Sequence, residues 1–173
     1  MKTKDVCING IGIALFVALS MCLRVPIFDN FYLCLGYVVM TIYLYSIGTI
    51  SGTLIGVLGT FLYCFLINGL RGMPGWVLGN IIIGIILGLW FKFIRKIKLN
   101  KFLSNLLTII IVLISVAIGI LIGKSIIEVI LYAQPFLLRL TTNLTAYISD
   151  IVVILISLPI CKILDPQIKK YIK

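Results

Sequence analysis

The chain contains no histidine, and only five acidic residues stand against fifteen lysines and arginines. Without histidine the commonest general base and metal ligand is missing. There is one intramembrane aspartate, Asp150, and no paired carboxylates for acid–base work. The five cysteines (Cys7, Cys22, Cys34, Cys64, Cys161) include no CxxC pair and are odd in number, so neither a disulfide framework nor a zinc site is indicated. No G-x-x-x-x-G-K-[ST] occurs, so nucleotide hydrolysis has to be done elsewhere. Charge is scarce too: 12% of residues are charged against roughly a quarter in soluble proteins.

What fills the chain is hydrocarbon. At 62% hydrophobic, 173 residues cannot bury their apolar surface in a water-soluble domain, so lipid must cover much of it. A spanning helix needs about 20 mainly apolar residues. Six apolar segments can be read, at about Val6–Leu23, Leu33–Ile47, Thr53–Ile67, Trp76–Phe93, Phe102–Pro135 and Leu144–Leu164. The reading is an all-α membrane protein, one six-helix transmembrane domain over residues 1–173, with no room for an extra-membrane domain. The first segment lacks an A-x-A-like exit and reads as a retained helix, not a leader. The fifth exceeds one bilayer thickness and is expected to protrude or bend into a loop, and Asp165-Pro166 is expected to stop the sixth.

The net charge of +10 sits in short runs between apolar segments, which reads as topology and attraction to anionic lipid, not as nucleic-acid binding. With the N-terminus inside, the inner set is Lys2, Lys4, Lys92, Arg95, Lys96, Lys98, Lys101, Lys162, Lys169, Lys170 and Lys173; the outer set is Arg24, Arg71, Lys124 and Arg139. This asymmetry predicts both termini in the cytoplasm.

Polar side chains within a span are costly unless they face protein or water. Trp76 and Asn80 share a face of the fourth segment; Lys124, Glu128 and Tyr132 share one on the fifth; Asn143, Tyr147 and Asp150 cover one on the sixth. All fall toward the predicted outer end, which favours an outward-facing cavity. Plainer readings stand beside this one. Lys124 and Glu128 are spaced for an ordinary i, i+4 ion pair, Trp76 and Tyr132 suit an interfacial belt, and Arg71 suits snorkelling. Asn80 and Asp150 equally suit interhelical hydrogen bonds. Small residues repeat every fourth position in Gly52, Gly56, Thr60 and Cys64, in Asn80, Gly84 and Gly88, and in Gly119 and Gly123, as close helix packing requires.

Gly10, Ala14, Ala18 and Cys22 form another such stripe, within Ala14-Leu15-Phe16-Val17-Ala18. An A-x-x-x-A in the first helix resembles the substrate-binding S components of energy-coupling factor (ECF) vitamin transporters. Leu35-Gly36-Tyr37, Gly48, Gly52, Gly56-Val57-Leu58-Gly59 and Arg71-Gly72-Met73-Pro74-Gly75-Trp76 look like the core of such a protein. Ser149-Asp150-Ile151 followed by Leu158-Pro159-Ile160 looks like its closing helix. The resemblance implies a multi-pass protein of the bacterial cytoplasmic membrane that binds a water-soluble vitamin or precursor and needs no cofactor of its own. It implies partners, namely a transmembrane coupling protein and two ATPase subunits, and docking on the coupling protein through Gly10, Ala14, Ala18 and Cys22. It further implies a ligand held by the fourth to sixth helices, through Trp76, Asn80, Lys124, Tyr132, Asn143, Tyr147 and Asp150, with Asn30, Tyr32 and Arg71 as lid or contact residues. The loaded bundle would topple in the membrane to release its ligand inward. Arg71 and Lys124 tilt the ligand expectation toward an anion. A stand-alone helical transporter or channel is the alternative, though no internal repeat supports it. A small membrane enzyme is the third reading, weakened by the missing catalytic cluster.

Overall fold

A computed structural model describes residues 3–22, 26–28, 31–68, 73–97 and 99–172 of the chain. Helix α1 (Thr3–Cys22) is followed by two short antiparallel strands, β1 (Pro26–Phe28) and β2 (Phe31–Tyr32). Then come α2 (Gly36–Ser46), α3 (Thr49–Tyr63), which widens into a π-helical turn over Cys64–Asn68, and α4 (Met73–Ile94). A long fifth helix is built from α5 (Lys101–Val116), a π-helical stretch Ala117–Lys124 and α6 (Ser125–Tyr132). Helix α7 (Phe136–Ile172) closes the bundle.

Among the described residues, five helical stretches are long and apolar enough to cross a bilayer: Thr3–Met21, Thr49–Ile67, Met73–Ile94, Lys101–Tyr132 and Phe136–Tyr171. The sixth expected span is α2, only 11 residues long and so roughly 16 Å, half a hydrocarbon core. Its place is inside the bundle: Tyr37, Met40 and Leu44 are all but inaccessible. The expected turn 48–52 is shorter than its glycines and hydroxyls suggest. Gly48 alone takes a left-handed φ of 143°, and α3 begins at Thr49. Likewise α4 starts at Met73, because a proline within the first helical turn has no donor to lose.

The fifth helix does not bend into a loop. It runs unbroken for 32 residues and ends where Ala133 turns left-handed (φ 50°) ahead of Pro135. Asp165-Pro166 does not stop the last helix either. Helix α7 carries both Pro159 and Pro166 inside and continues to Ile172, each proline removing one backbone bond without breaking the rod.

The core joins Phe16, Tyr37, Met40, Leu44, Ile55, Ile83, Leu87, Phe91, Val116 and Ile154. Leu113, Ile114, Ile118 and Ile122 on the fifth helix, and Ile148, Val152 and Ile156 on α7, face outward, as a lipid-covered surface requires. The glycine stripes are seams. A Cβ on Gly88 would lie 2.8 Å from the Thr49 Cα, and one on Gly119 would lie 2.8 Å from the Gly79 carbonyl oxygen. Gly119→Leu is therefore expected to wedge α4 from the π stretch and cost about 1–3 kcal/mol, read as a lower unfolding midpoint in detergent.

The ends of the bundle differ in charge. The Tyr43 hydroxyl donates to the Ile8 carbonyl, Arg95 donates to the Tyr45 carbonyl, and Arg95 pairs with Asp165 at 3.2 Å. The start of α1 and the ends of α2, α4 and α7 thus share one end, and the described cations of the expected inner set gather there.

Candidate functional site

At the opposite end, the start of α4 faces the start of α2. A glycine-punctuated α4 lets the helices approach, and Asn80 enters the gap fully buried. Its amide nitrogen donates to the Gly56 carbonyl at 3.1 Å and to the Thr60 hydroxyl at 2.5 Å, and its oxygen accepts the Tyr37 hydroxyl at 2.7 Å. The half-buried Trp76, one turn earlier, donates its indole N–H to the same Tyr37 oxygen at 2.8 Å. Tyr63 meets the Trp76 ring edge-on, with centroids 5.9 Å apart. The buried Asp150 carboxyl on α7 lies against the Tyr37 hydroxyl and within electrostatic range of Lys124. Tyr37 thereby joins α2 to α4 through one oxygen, with Asp150 of α7 beside it.

A second polar knot adjoins it. Glu128 on α6 is 5% exposed. It accepts the Asn143 amide at 3.0 Å and has Arg139 at 3.8 Å and Lys124 at 3.9 Å. Asn143 also donates to Ser125 at 3.0 Å, and the Arg139 guanidinium stands over the Tyr132 ring at 5.7 Å. At those ion-pair lengths the Asn143 hydrogen bond is the tightest of Glu128's contacts. Lys124 and Glu128 make the i, i+4 pair their spacing suggests, yet the pair is largely out of water and shared with two other helix positions.

Of the expected site residues, the structure gathers Trp76, Asn80 and Asp150 around Tyr37, and Lys124, Asn143 and Tyr132 around Glu128 and Arg139. Tyr147 packs at the margin of the hydrophobic core. Asn30 and Arg71 lie outside the described residues, as does the side chain of Tyr32, whose backbone is in β2. The tilt toward an anionic ligand loses the support of Lys124, because that ammonium is matched by Glu128 and influenced by Asp150. Sequence reasoning did not select Tyr37, Ser125 or Arg139. Tyr37 sits four positions before Thr41 in a stretch of tyrosines and aliphatics, and no spacing rule within one helix distinguishes it.

The arrangement supplies fixed hydrogen-bonding groups and aromatic edges in a dry setting, which suits recognition. No nucleophile–base pair is among them, and among the described residues no group of three metal-ligating side chains occurs.

On α1 the stripe expected to dock is separate from all this. Gly10, Ala14 and Ala18 are exposed, whereas Gly12, Phe16, Val17 and Ser20 face the core. The side chain of Cys22 lies outside the described residues.

A family model described as the ECF-type riboflavin transporter, S component, matches residues 1–166. Two curated relatives from Streptococcus thermophilus, from strains ATCC BAA-491 / LMD-9 and CNRZ 1066, both called UPF0397 proteins, are 34% identical over 89 residues, or 51% of this chain and 49% of theirs. The aligned part thus spans about half the length of the curated relatives it matches.

Proposed function

The chain belongs to the ECF-type riboflavin transporter S-component family, and on that premise we propose that it is the vitamin-binding subunit of an ECF importer. It resides in the bacterial cytoplasmic membrane. As a transport subunit it hydrolyses nothing itself. A transmembrane coupling protein and two ATPases supply the energy, and the loaded bundle topples on them to release ligand inward. The basic end faces the cytoplasm with both termini, since cationic loops are retained on that side.

The observation that carries the binding role is the convergence of Trp76, Asn80 and Asp150 on the Tyr37 hydroxyl at the end opposite the cations. Trp76, Tyr37 and Asn80 satisfy one another through these bonds. A flat, hydrogen-bonding ring would take over some of these bonds, beginning with that of the half-buried Trp76, and lie against the indole and the Tyr63 edge. The adjoining Lys124 and Arg139 are set against two carboxylates, Glu128 and Asp150, so an uncharged polar ligand fits better than a strongly anionic one. Riboflavin is the first compound to test, because the matching family model bears its name.

The test is equilibrium binding to the purified subunit, read by quenching of flavin fluorescence, with other B vitamins as competitors. Asn80→Ala removes the acceptor of Tyr37 and the brace to α3, and is expected to weaken binding at least about tenfold while helix content is retained. If neither riboflavin nor any other water-soluble vitamin binds, or if Asn80→Ala binds as the parent does, this assignment of the site fails.

A further inference from the structure

At the cationic end, a cavity of about 350 Å³ opens between α4, α5 and α7. Its floor is apolar, formed by Phe91, Ile94, Ile109, Leu155 and Leu158. Its rim is polar. Ser104, Asn105 and Lys162 stand there, with the Lys162 ammonium 2.7 Å from the Asn105 carbonyl oxygen. Pro159 also lines it and has no N–H to offer the Leu155 carbonyl one turn earlier, so that acceptor lacks its usual helical donor.

The charge around the rim is unbalanced. The described partner of Lys162 is a neutral amide. Arg95, whose guanidinium lies 4.6 Å over the ring of the lining residue Tyr45, shares Asp165 with Lys169. Two cations thus share the Asp165 carboxylate, and a third, Lys162, stands on the rim of a greasy hole with an amide for its described partner.

We propose that this cavity is a binding site for an anionic phospholipid of the adjacent leaflet, with one acyl chain on the Phe91–Leu158 floor and the headgroup phosphate on Lys162 and Arg95. The site is distinct from the Tyr37 network, which lies at the other end of the bundle. An amphiphile matches both halves of it. The floor excludes a free ion, and the uncompensated rim disfavours a neutral chain. Each basic residue near a headgroup is worth about 1 kcal/mol, or roughly fivefold in affinity. A pocket of this size takes only part of a lipid, so the remainder of the molecule stays in the bilayer.

The experiment is native mass spectrometry of the delipidated subunit in neutral detergent, with phosphatidylglycerol and phosphatidylcholine added in equal amounts. Phosphatidylglycerol is expected to be retained about fivefold or more over phosphatidylcholine. Lys162→Gln, at an exposed position that should not disturb folding, is expected to remove most of that preference. Leu158→Trp, which fills the floor, is expected to lower retention of both lipids. Equal retention of the two lipids overturns the proposal, as does an unchanged preference in Lys162→Gln. So does an equal thermal stabilisation by inorganic phosphate, which would make the rim a simple ion site. If both variants leave lipid retention intact but weaken assembly with the ECF module, the cavity belongs to a protein partner and the lipid reading falls.

Discussion

Ala14→Trp is expected to abolish ATP-driven uptake, by about a hundredfold or more, while the purified subunit binds its ligand within about twofold of the parent. Helix α1 has two faces: Phe16 and Val17 are packed into the core, whereas the small residues Gly10, Ala14 and Ala18 look outward, flanked by the exposed Ile11 and Leu15. A Cβ built on Gly10 meets no atom within 4 Å, so that position has no neighbour among the described residues. A bulky side chain there disturbs no described internal contact and acts only on what approaches from outside. Lipid tails adapt to an indole, but a helix packed closely on small residues cannot. Uptake in cells with the intact ECF module and binding by the isolated subunit must therefore separate. If both are lost together, the face supports folding; if uptake survives, docking occurs elsewhere.

The second large effect concerns stability. Glu128→Ala leaves Arg139 and Lys124 without their nearby carboxylate and removes an acceptor of the Asn143 amide. Removing one partner of a buried charge cluster typically costs about 3–5 kcal/mol, because the remaining charges stay desolvated. Glu128→Gln keeps an oxygen for Asn143 but not the charge, so it should recover only part of the loss. Adding Arg139→Met to Glu128→Gln should then stabilise relative to the single variant, a non-additivity measurable by thermal unfolding in detergent. If Glu128→Ala unfolds at the parental temperature, the knot is too wet to matter.

The contrast between these regions explains how much could be read in advance. Lipid exposure, helical content and cation placement are dictated by transfer energies acting on each segment alone, and composition reports them directly. Ala14 and Ala18 were legible for the same reason, since a small-residue stripe is a property of one helix. Asn80 and Asp150 stood out because a polar group in hydrocarbon demands a partner. The identity of that partner was hidden. Tyr37 answers both from α2, a helix too short to cross by itself, and such a pairing depends on three-dimensional approach and not on spacing. Helix ends were misjudged where prolines intervened. Pro74 sits in the first turn of α4, where it has no donor to lose, and Pro166 costs α7 one backbone bond while the helix runs on to Ile172.

The π-helical stretch Ala117–Lys124 has a consequence for everything beyond it. A wider turn consumes more residues per revolution, so it works as an angular spacer inserted in an otherwise regular screw. A helical wheel drawn straight through it assigns α6 to the wrong compass bearing. Gaining or losing one residue there would swing Ser125 and Glu128 by roughly 100° about the axis. The hydropathy profile would hardly change, yet the carboxylate would point at the oil. Residue count in that stretch, more than its greasiness, decides which way this end of the helix looks.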